Sequence, residues 1–518
     1  MPQDPDRIWK RVLIAYPFIF AAFVFVISFH LDFQQFHNDF WDNYFISSRF
    51  TGMDRQTWFN PQYPVGYCLF LKAIMGRGLP VPPAILANIF FGCLLLLTCT
   101  VIYEKILPAK HALPSLILLS LFPLNLHYWS VGGGDPGAVA LFTAGAAVIL
   151  WRIGKTEPQP AFPFFAAGIL MGLAALFRYH ALVANGMMAL ALVSIHPRKW
   201  KQLFILTIGI CAGYSPQWFV NLATGHGLLE TQFGPMNVYY LMHGINWYRV
   251  TGLHLPHSTL SIISADPALF FAKYFRAFLS FYPAWLPALF AATFERSPER
   301  KGIARVIAVW IFIYFALFSA TTSGRQMLLT LPLAFLSIGM SLRIISEKFT
   351  ELSLSSRSHT RFPVIAILVL LMLAFHVRRD FQMLERRSVQ KDTWVSIETF
   401  LRQQGCSRAG EIFSNSFDLY FRKLPNYIPY FNGGAPRWGT YLYNETFPEF
   451  PVDSLSTFVV ACRKRGVRYV ILDSDCNNLS TNLGRIYSHP PVSGELTMAL
   501  NVNGYKVYKV SEPAMSTD

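Results

Sequence analysis

The chain has 518 residues, of which 53% are hydrophobic and only 14% charged, and a mean hydropathy of +0.34. That is too apolar for a soluble protein of this size and marks a polytopic membrane protein. The net charge of +15 does not point to nucleic acid, because the Lys and Arg residues sit in short clusters between apolar runs, as topology signals do.

The first apolar run, residues 12–29, is long and is followed by Phe, Trp and acidic residues where a signal-peptidase site would need small ones. It is expected to stay as an anchor. Ten further runs reach or approach spanning length, giving eleven candidates: 12–30, 84–103, 112–129, 136–151, 161–177, 181–195, 202–220, 277–293, 303–320, 326–342 and 362–376. With the N-terminus cytoplasmic, the inner connections hold most of the basic residues, among them Lys10, Arg11, Lys105, Lys110, Arg198, Lys199, Arg300, Lys301, Arg343 and Lys348. The outer connections keep Arg49, Arg55, Arg178, Arg249, Lys273, Arg276 and Arg325. The positive-inside rule favours that orientation, and an odd span count then places the C-terminal third outside.

The expected organisation is a transmembrane unit over 1–376, with outer loops 31–83 and 221–276, followed by an extracytoplasmic domain over 377–518. The first loop contains an amphipathic run, Pro64-Val-Gly-Tyr-Cys-Leu-Phe-Leu-Lys-Ala-Ile-Met75, suited to lying along the interface. The tail is more polar. A helix over 454–465, stopped by Gly466, precedes strand-like Arg468-Tyr-Val-Ile-Leu-Asp473 and Tyr505-Lys-Val-Tyr-Lys-Val510, which reads as a small α/β domain. Cys406, Cys462 and Cys476 allow at most one disulfide there, with the pairing open, and no cysteine pair has metal-ligand spacing.

The residues with most chemical promise cluster at the outer ends of these runs. Asp39 and Asp42, three apart in His37-Asn-Asp-Phe-Trp-Asp-Asn-Tyr44, share a face if helical, with Tyr44 and Arg49 nearby. A partly desolvated carboxylate at a membrane surface can take the proton of an attacking hydroxyl, although plain solvation of a loop is the commoner role. Arg178 and Arg325 both fall at the outer surface, where a guanidinium can hold a phosphate by paired hydrogen bonds or simply anchor in lipid headgroups. His180 can orient a phosphate or face water. Asp135, in Gly132-Gly-Gly-Asp135-Pro136, can start a helix or serve a site.

In layout these segments resemble the GT-C superfamily of multi-pass glycosyltransferases, which take a sugar from a polyprenyl-phosphate carrier on the extracytoplasmic face. The likeness is to the protein mannosyltransferase and aminoarabinose transferase type. It rests on Asp39-Phe-Trp-Asp-Asn-Tyr44, Tyr63-Pro-Val-Gly-Tyr67, Gly-Asp135-Pro, Leu176-Phe-Arg178-Tyr-His180, Ser323-Gly-Arg325-Gln-Met-Leu-Leu-Thr-Leu-Pro332 and the tail motif Gly466-Val-Arg-Tyr-Val-Ile-Leu-Asp473, so it runs nearly the full length. It departs from the pattern at Gln326, where Tyr is commoner, and at the acidic motif, where two aspartates compete for one role.

The resemblance implies a mainly α, GT-C-like membrane fold with about eleven transmembrane helices and a small C-terminal α/β domain. It also implies a glycosyltransferase of the bacterial inner membrane that takes a polyprenyl-phosphate sugar and a lipid, glycan or protein acceptor. On that reading Asp39 or Asp42 is the catalytic base, and Tyr44, Tyr63, Asp135, Arg178, His180 and Arg325 bind substrate. Metal dependence stays open, since carboxylates can hold Mg²⁺ or Mn²⁺ and members of the superfamily differ in needing one. A transporter or flippase of lipid-linked sugars is the competing class, for which the sequence lacks visible repeat symmetry.

Overall fold

The structure, a computed structural model, describes residues 5–31, 64–74, 81–130, 133–153, 160–223, 227–228, 238–239, 241–243, 259–319, 324–355, 363–406, 411–414, 427–429, 454–473, 482–489, 491 and 494–511. Four stretches among them are long and apolar enough to cross a membrane. They are α1 (Pro5–Leu31), α3 (Val81–Ile106), α6 (Asp135–Ile153) and the segment Pro197–Ala223, which contains α9 (Trp200–Ala223). Shorter apolar helices are α2 (Val65–Ile74), α7 (Ala161–Phe177) and α8 (His180–Ile195). Within the described residues the eleven predicted runs fall on helix, the run from 326 starting in a 3₁₀ turn, and the amphipathic run becomes α2.

Two of those runs are broken in the middle. Helix α4 (Ala109–Ser120) bends by 59° into α5 (Pro123–Ser130), and after α10 (Thr259–Ala265), α11 (Pro267–Ser280) bends by 62° into α12 (Tyr282–Phe294). Pro123 opens α5 because its ring fixes φ and it has no N–H to carry the α4 ladder onward. Asn125 Nδ2 donates 2.7 Å to the carbonyl of Leu119, so the end of α4 keeps a partner across the bend.

The tightest helix pair is α7 with α9. Gly168 and Gly172 on α7 face Gly209 and Gly213 on α9, one turn apart on each helix. A Cβ added at any of the four would lie 2.2–2.4 Å from a carbonyl oxygen of the opposite helix. Small residues at i and i+4 let two backbones approach this closely, which is how apolar helices associate where burial from water offers little.

Helix ends gather at two levels. At one, Lys199 Nζ donates 3.0 Å to the carbonyl of Ile153, and His196 neighbours Gly302 at the start of α13 (Pro298–Phe318). Glu295, just past α12, belongs to the same level: it is buried and pairs with Arg300 at 3.4 Å and with Arg343 of α14 (Leu331–Ser355). At the opposite ends of α6, α7, α13 and α14 lie Asp135, Arg178 and the 3₁₀ turn Gly324–Leu329.

The last long helix, α15 (Pro363–Gln403), has 41 residues and so runs for about 60 Å. It continues without a break through residue 376 and ends as one layer of the C-terminal sheet. That sheet has five strands in the order β2-β1-β3-β5-β4: β1 (Ile412–Ser414), β2 (Tyr427–Pro429), β3 (Tyr469–Leu472), β4 (Leu496–Val502) and β5 (Tyr505–Val510). The β2–β1–β3 pairs are parallel and the β3–β5–β4 pairs antiparallel.

Trp394, Ile397 and Leu401 of α15 pack on one face against Ile412, Ile471 and Val507, and Trp394 Nε1 donates 3.0 Å to the Tyr505 hydroxyl. The other face is covered by α16 (Leu455–Lys464) and α17 (Asn482–Ser488) through Phe458, Cys462, Leu483 and Ile486. Helix α16 starts at an N-cap, Ser454, whose side chain accepts from Thr457 N, and it is followed by Gly466 at φ +75°, a left-handed conformation that costs glycine little. Cys406 and Cys462 lie in separate cores, on opposite faces of the sheet, and both are free thiols.

Candidate functional site

The site forms around one carboxylate. Asp135 begins α6 and is 2% exposed, a burial that would be costly for an ionised group without strong partners. Two arginines supply them. Arg178, the residue that closes α7, donates from Nη2 to Oδ2 at 2.8 Å. Arg325, in the 3₁₀ turn before α14, donates from Nε to Oδ1 and Oδ2 at 2.9 and 3.0 Å and from Nη2 to Oδ2 at 2.6 Å. Among the described residues these two cations share this one anion. Arg325 is the more accessible of the two, its side chain 20% exposed against 9% for Arg178.

Local backbone explains why these elements can meet. The carbonyl of Phe177 stands 2.8 Å from where a Cβ on Gly134 would be, and the Phe177 ring 2.4 Å from one on Gly137, so the start of α6 fits against the end of α7 only with glycine at both positions. Helix α2 closes in from the other side. A Cβ on Gly66 would lie 2.5 Å from the carbonyl of Leu176, and the Gly133 N–H donates 3.1 Å to the buried hydroxyl of Tyr67. The first N–H of α2, on Val65, donates 2.9 Å to Gln217 Oε1 of α9, and Gln217 Nε2 donates 2.8 Å to Asn221 Oδ1. A buried helix start has orphan donors, and Gln217 satisfies one of them.

The ring of Tyr128, on α5, lies 5.3 Å from the Arg325 guanidinium, a cation–π contact. His180 opens α8 two residues beyond Arg178, half-buried and within Coulombic reach of Asp135. The structure therefore brings Asp135, Arg178, His180 and Arg325 of the sequence-predicted set to one place. Asp39, Asp42, Tyr44 and Tyr63 lie outside the described residues.

Three contributors were not singled out from sequence. Tyr128 sits in His127-Tyr-Trp-Ser130, directly before the glycine run that leads to Asp135, and that adjacency was the available signal. Gln217 reads as one polar residue in an apolar span. Arg387, which bonds to the same short helix α5, shares a face of α15 with His376 and Asp380 at helical spacing, a polar stripe that periodicity reveals.

Among the described residues no three His, Cys, Asp or Glu side chains gather as a metal site, and the lone pairs of Asp135 are already taken by guanidinium donors. This cluster as built is suited to an anion.

No protein-family model matches the sequence, and comparison with curated proteins gives no match. The fold, however, defines a class: it is a polytopic membrane fold, mainly helical with a small C-terminal sheet. The solved structures it is similar to include ArnT from Cupriavidus metallidurans, determined both bound to undecaprenyl phosphate and in the apo state. Each matches with a TM-score of 0.56 over 96% of this chain and 98% of that one. Sequence identity is 13%, so the likeness is one of fold.

Proposed function

We propose that the protein is an integral membrane glycosyltransferase that moves a sugar from a polyprenyl-phosphate carrier to an acceptor at the membrane face where Asp135, Arg178 and Arg325 meet. The observation that carries this reading is the convergence of two arginines from separate helix ends on one buried aspartate, with the Arg325 guanidinium partly exposed. The fold shared with ArnT, crystallised with undecaprenyl phosphate, supports the carrier class. The distribution of basic residues supports an outward orientation for this end and a cytoplasmic N-terminus.

The chemistry is one displacement. An acceptor hydroxyl oxygen bonds to the anomeric carbon as the bond from that carbon to the phosphate oxygen breaks, with inversion. The hydroxyl proton passes to Asp39 or, failing that, Asp42, and the carrier leaves as polyprenyl phosphate. Negative charge grows on the departing phosphate, and guanidinium donors prepositioned in a low-dielectric setting stabilise it more in the transition state than before. Arg325, held by Tyr128 and Asp135 yet partly exposed, is the nearer hand on that phosphate, and Arg178 braces the carboxylate that orients it. His180 and Tyr44 with Tyr63 line the donor and acceptor approaches on this reading.

Purified protein reconstituted with a polyprenyl-phosphate sugar tests it. Transfer or hydrolysis that is lost in the Asp39→Asn/Asp42→Asn double variant is the expected result. Intact donor crossing the bilayer without cleavage would replace the enzyme by a flippase.

A further inference from the structure

The long helix α15 contacts α5, beside the site, through a buried arginine. Arg387 is 5% exposed; its Nη1 donates 3.0 Å to Ser130 Oγ and its Nη2 meets His127 Nδ1. Guanidinium has no lone pair to offer, so the imidazole nitrogen is the acceptor in that contact. Both partners belong to α5, whose intervening residue Tyr128 carries the ring set against Arg325.

Helix α5 is only eight residues long and is separated from α4 by a 59° bend. Its apolar hold is Leu126 and Trp129, the latter edge-on to Phe20 of α1 at 5.6 Å, and Asn125 ties its first turn to the carbonyl of Leu119. Two directed hydrogen bonds from a rigid fork to His127 and Ser130 add an orienting hold on the rest of the helix, on either side of Tyr128. Burying a guanidinium costs several kcal/mol, a cost that a Leu or Met filling the same space would avoid, so packing alone does not account for Arg387.

We infer that Arg387 is a positioning residue for Arg325, acting through α5 and the Tyr128 ring, so that the helix supporting the C-terminal sheet also sets the phosphate-binding guanidinium. This rests on the reading that Arg325 binds the carrier phosphate. It places no new group in contact with substrate.

The test is a double-variant cycle on the purified full chain in nanodiscs, with undecaprenyl phosphate as the titrated probe and melting temperature as a fold control. Arg387→Ala and Tyr128→Leu are each expected to weaken binding about tenfold, the scale of one cation–π contact. The double variant is expected to weaken it no further, because both changes remove the same support. Losses that multiply in the double variant, or wild-type binding by Arg387→Ala, overturn the inference.

Arg325→Gln separates the two readings. If it leaves binding unchanged, the phosphate role of Arg325 fails. If it abolishes binding while Arg387→Ala does not weaken it, only the positioning role fails. Should Arg387→Ala not fold, Arg387→Lys takes its place in the cycle: it keeps the charge but loses the fork, and an intermediate loss that vanishes in the Tyr128→Leu background is expected. A loss that persists in that background overturns the inference.

Discussion

Arg178 and Arg325, which come from different helix ends, donate to the same oxygen, Oδ2 of Asp135, at 2.8 and 2.6 Å. The carboxylate is what allows two guanidinium groups to stand so close in a buried setting. Its two partners are unequal: Arg325 makes three hydrogen bonds to it, Arg178 one.

Removing the shared anion is therefore expected to cost more than removing either cation. Asp135→Ala takes the shared carboxylate from the buried Arg178 and the partly exposed Arg325 and should destabilise the protein by about 3–5 kcal/mol, the range for breaking a buried pair. Arg178→Ala leaves the better-bonded Asp135–Arg325 pair intact and should cost distinctly less. Thermal melts in one detergent, run side by side, rank the two. The opposite order would mean that Asp135 is not the hub of the cluster.

The glycine faces of α7 and α9 make a second prediction. Gly168→Ala and Gly209→Ala each put a methyl 2.2–2.3 Å from an opposing carbonyl oxygen, so the helices must separate. A loss of about 1–3 kcal/mol is expected for each, as for overpacked cores. Gly186→Ala on α8, with nothing within 4 Å, is the control and should be neutral. Equal behaviour of all three would argue against close helix approach as the role of these glycines.

Glu295 sets an acid limit at the other end of the bundle. Burial works against its ionisation, but the Ser297 N–H, which donates 3.0 Å to Oε1, and the guanidinium groups of Arg343 and Arg300 outweigh it and hold its pKa below the ordinary glutamate value. A depressed carboxylate stabilises the fold fully above its unfolded value and loses that contribution as pH falls through the folded one. Melting curves from pH 7 downward should show wild type more stable than Glu295→Gln at neutral pH, with the gap closing in acid below the usual glutamate range. A gap independent of pH would assign the effect to shape instead of charge.

Asp380 stands out on the buried face of α15. It is 5% exposed, and among the described residues neither carboxylate oxygen has a hydrogen-bond partner. An unsatisfied buried polar group costs about 1–3 kcal/mol, so Asp380→Leu, similar in size and without that cost, is expected to melt at the same or a higher temperature. A clear drop would reveal that this carboxylate holds a partner in the membrane.

Much of the architecture was legible in the chain. Within the described residues the predicted apolar runs are helical, the helix before Gly466 formed as α16, and both predicted tail strands formed as β3 and β5. These features follow from apolar run length, capping and alternation, all of which act over a few residues. Arg178 and Arg325, just outside predicted runs, lie at the end of α7 and in the 3₁₀ turn before α14.

Their common partner was not legible to the same degree. The local Gly-Asp-Pro pattern suggested a helix start as readily as a site, and Asp135 does begin α6, but its carboxylate is spent on two distant arginines. Likewise the bends at Pro123 and before Pro283, and the reach of Arg387 to α5, depend on what each segment meets when packed.

Sequence alone determined that this is a membrane chain of many apolar helices with a small α/β tail, because hydropathy and periodicity are properties of neighbouring residues. Only the tertiary structure decided which charges share a site. Pairing Asp135 with Arg178 and Arg325 requires glycine-lined helices to bring three separate ends within hydrogen-bond distance, and that distance is set by the packing of whole helices.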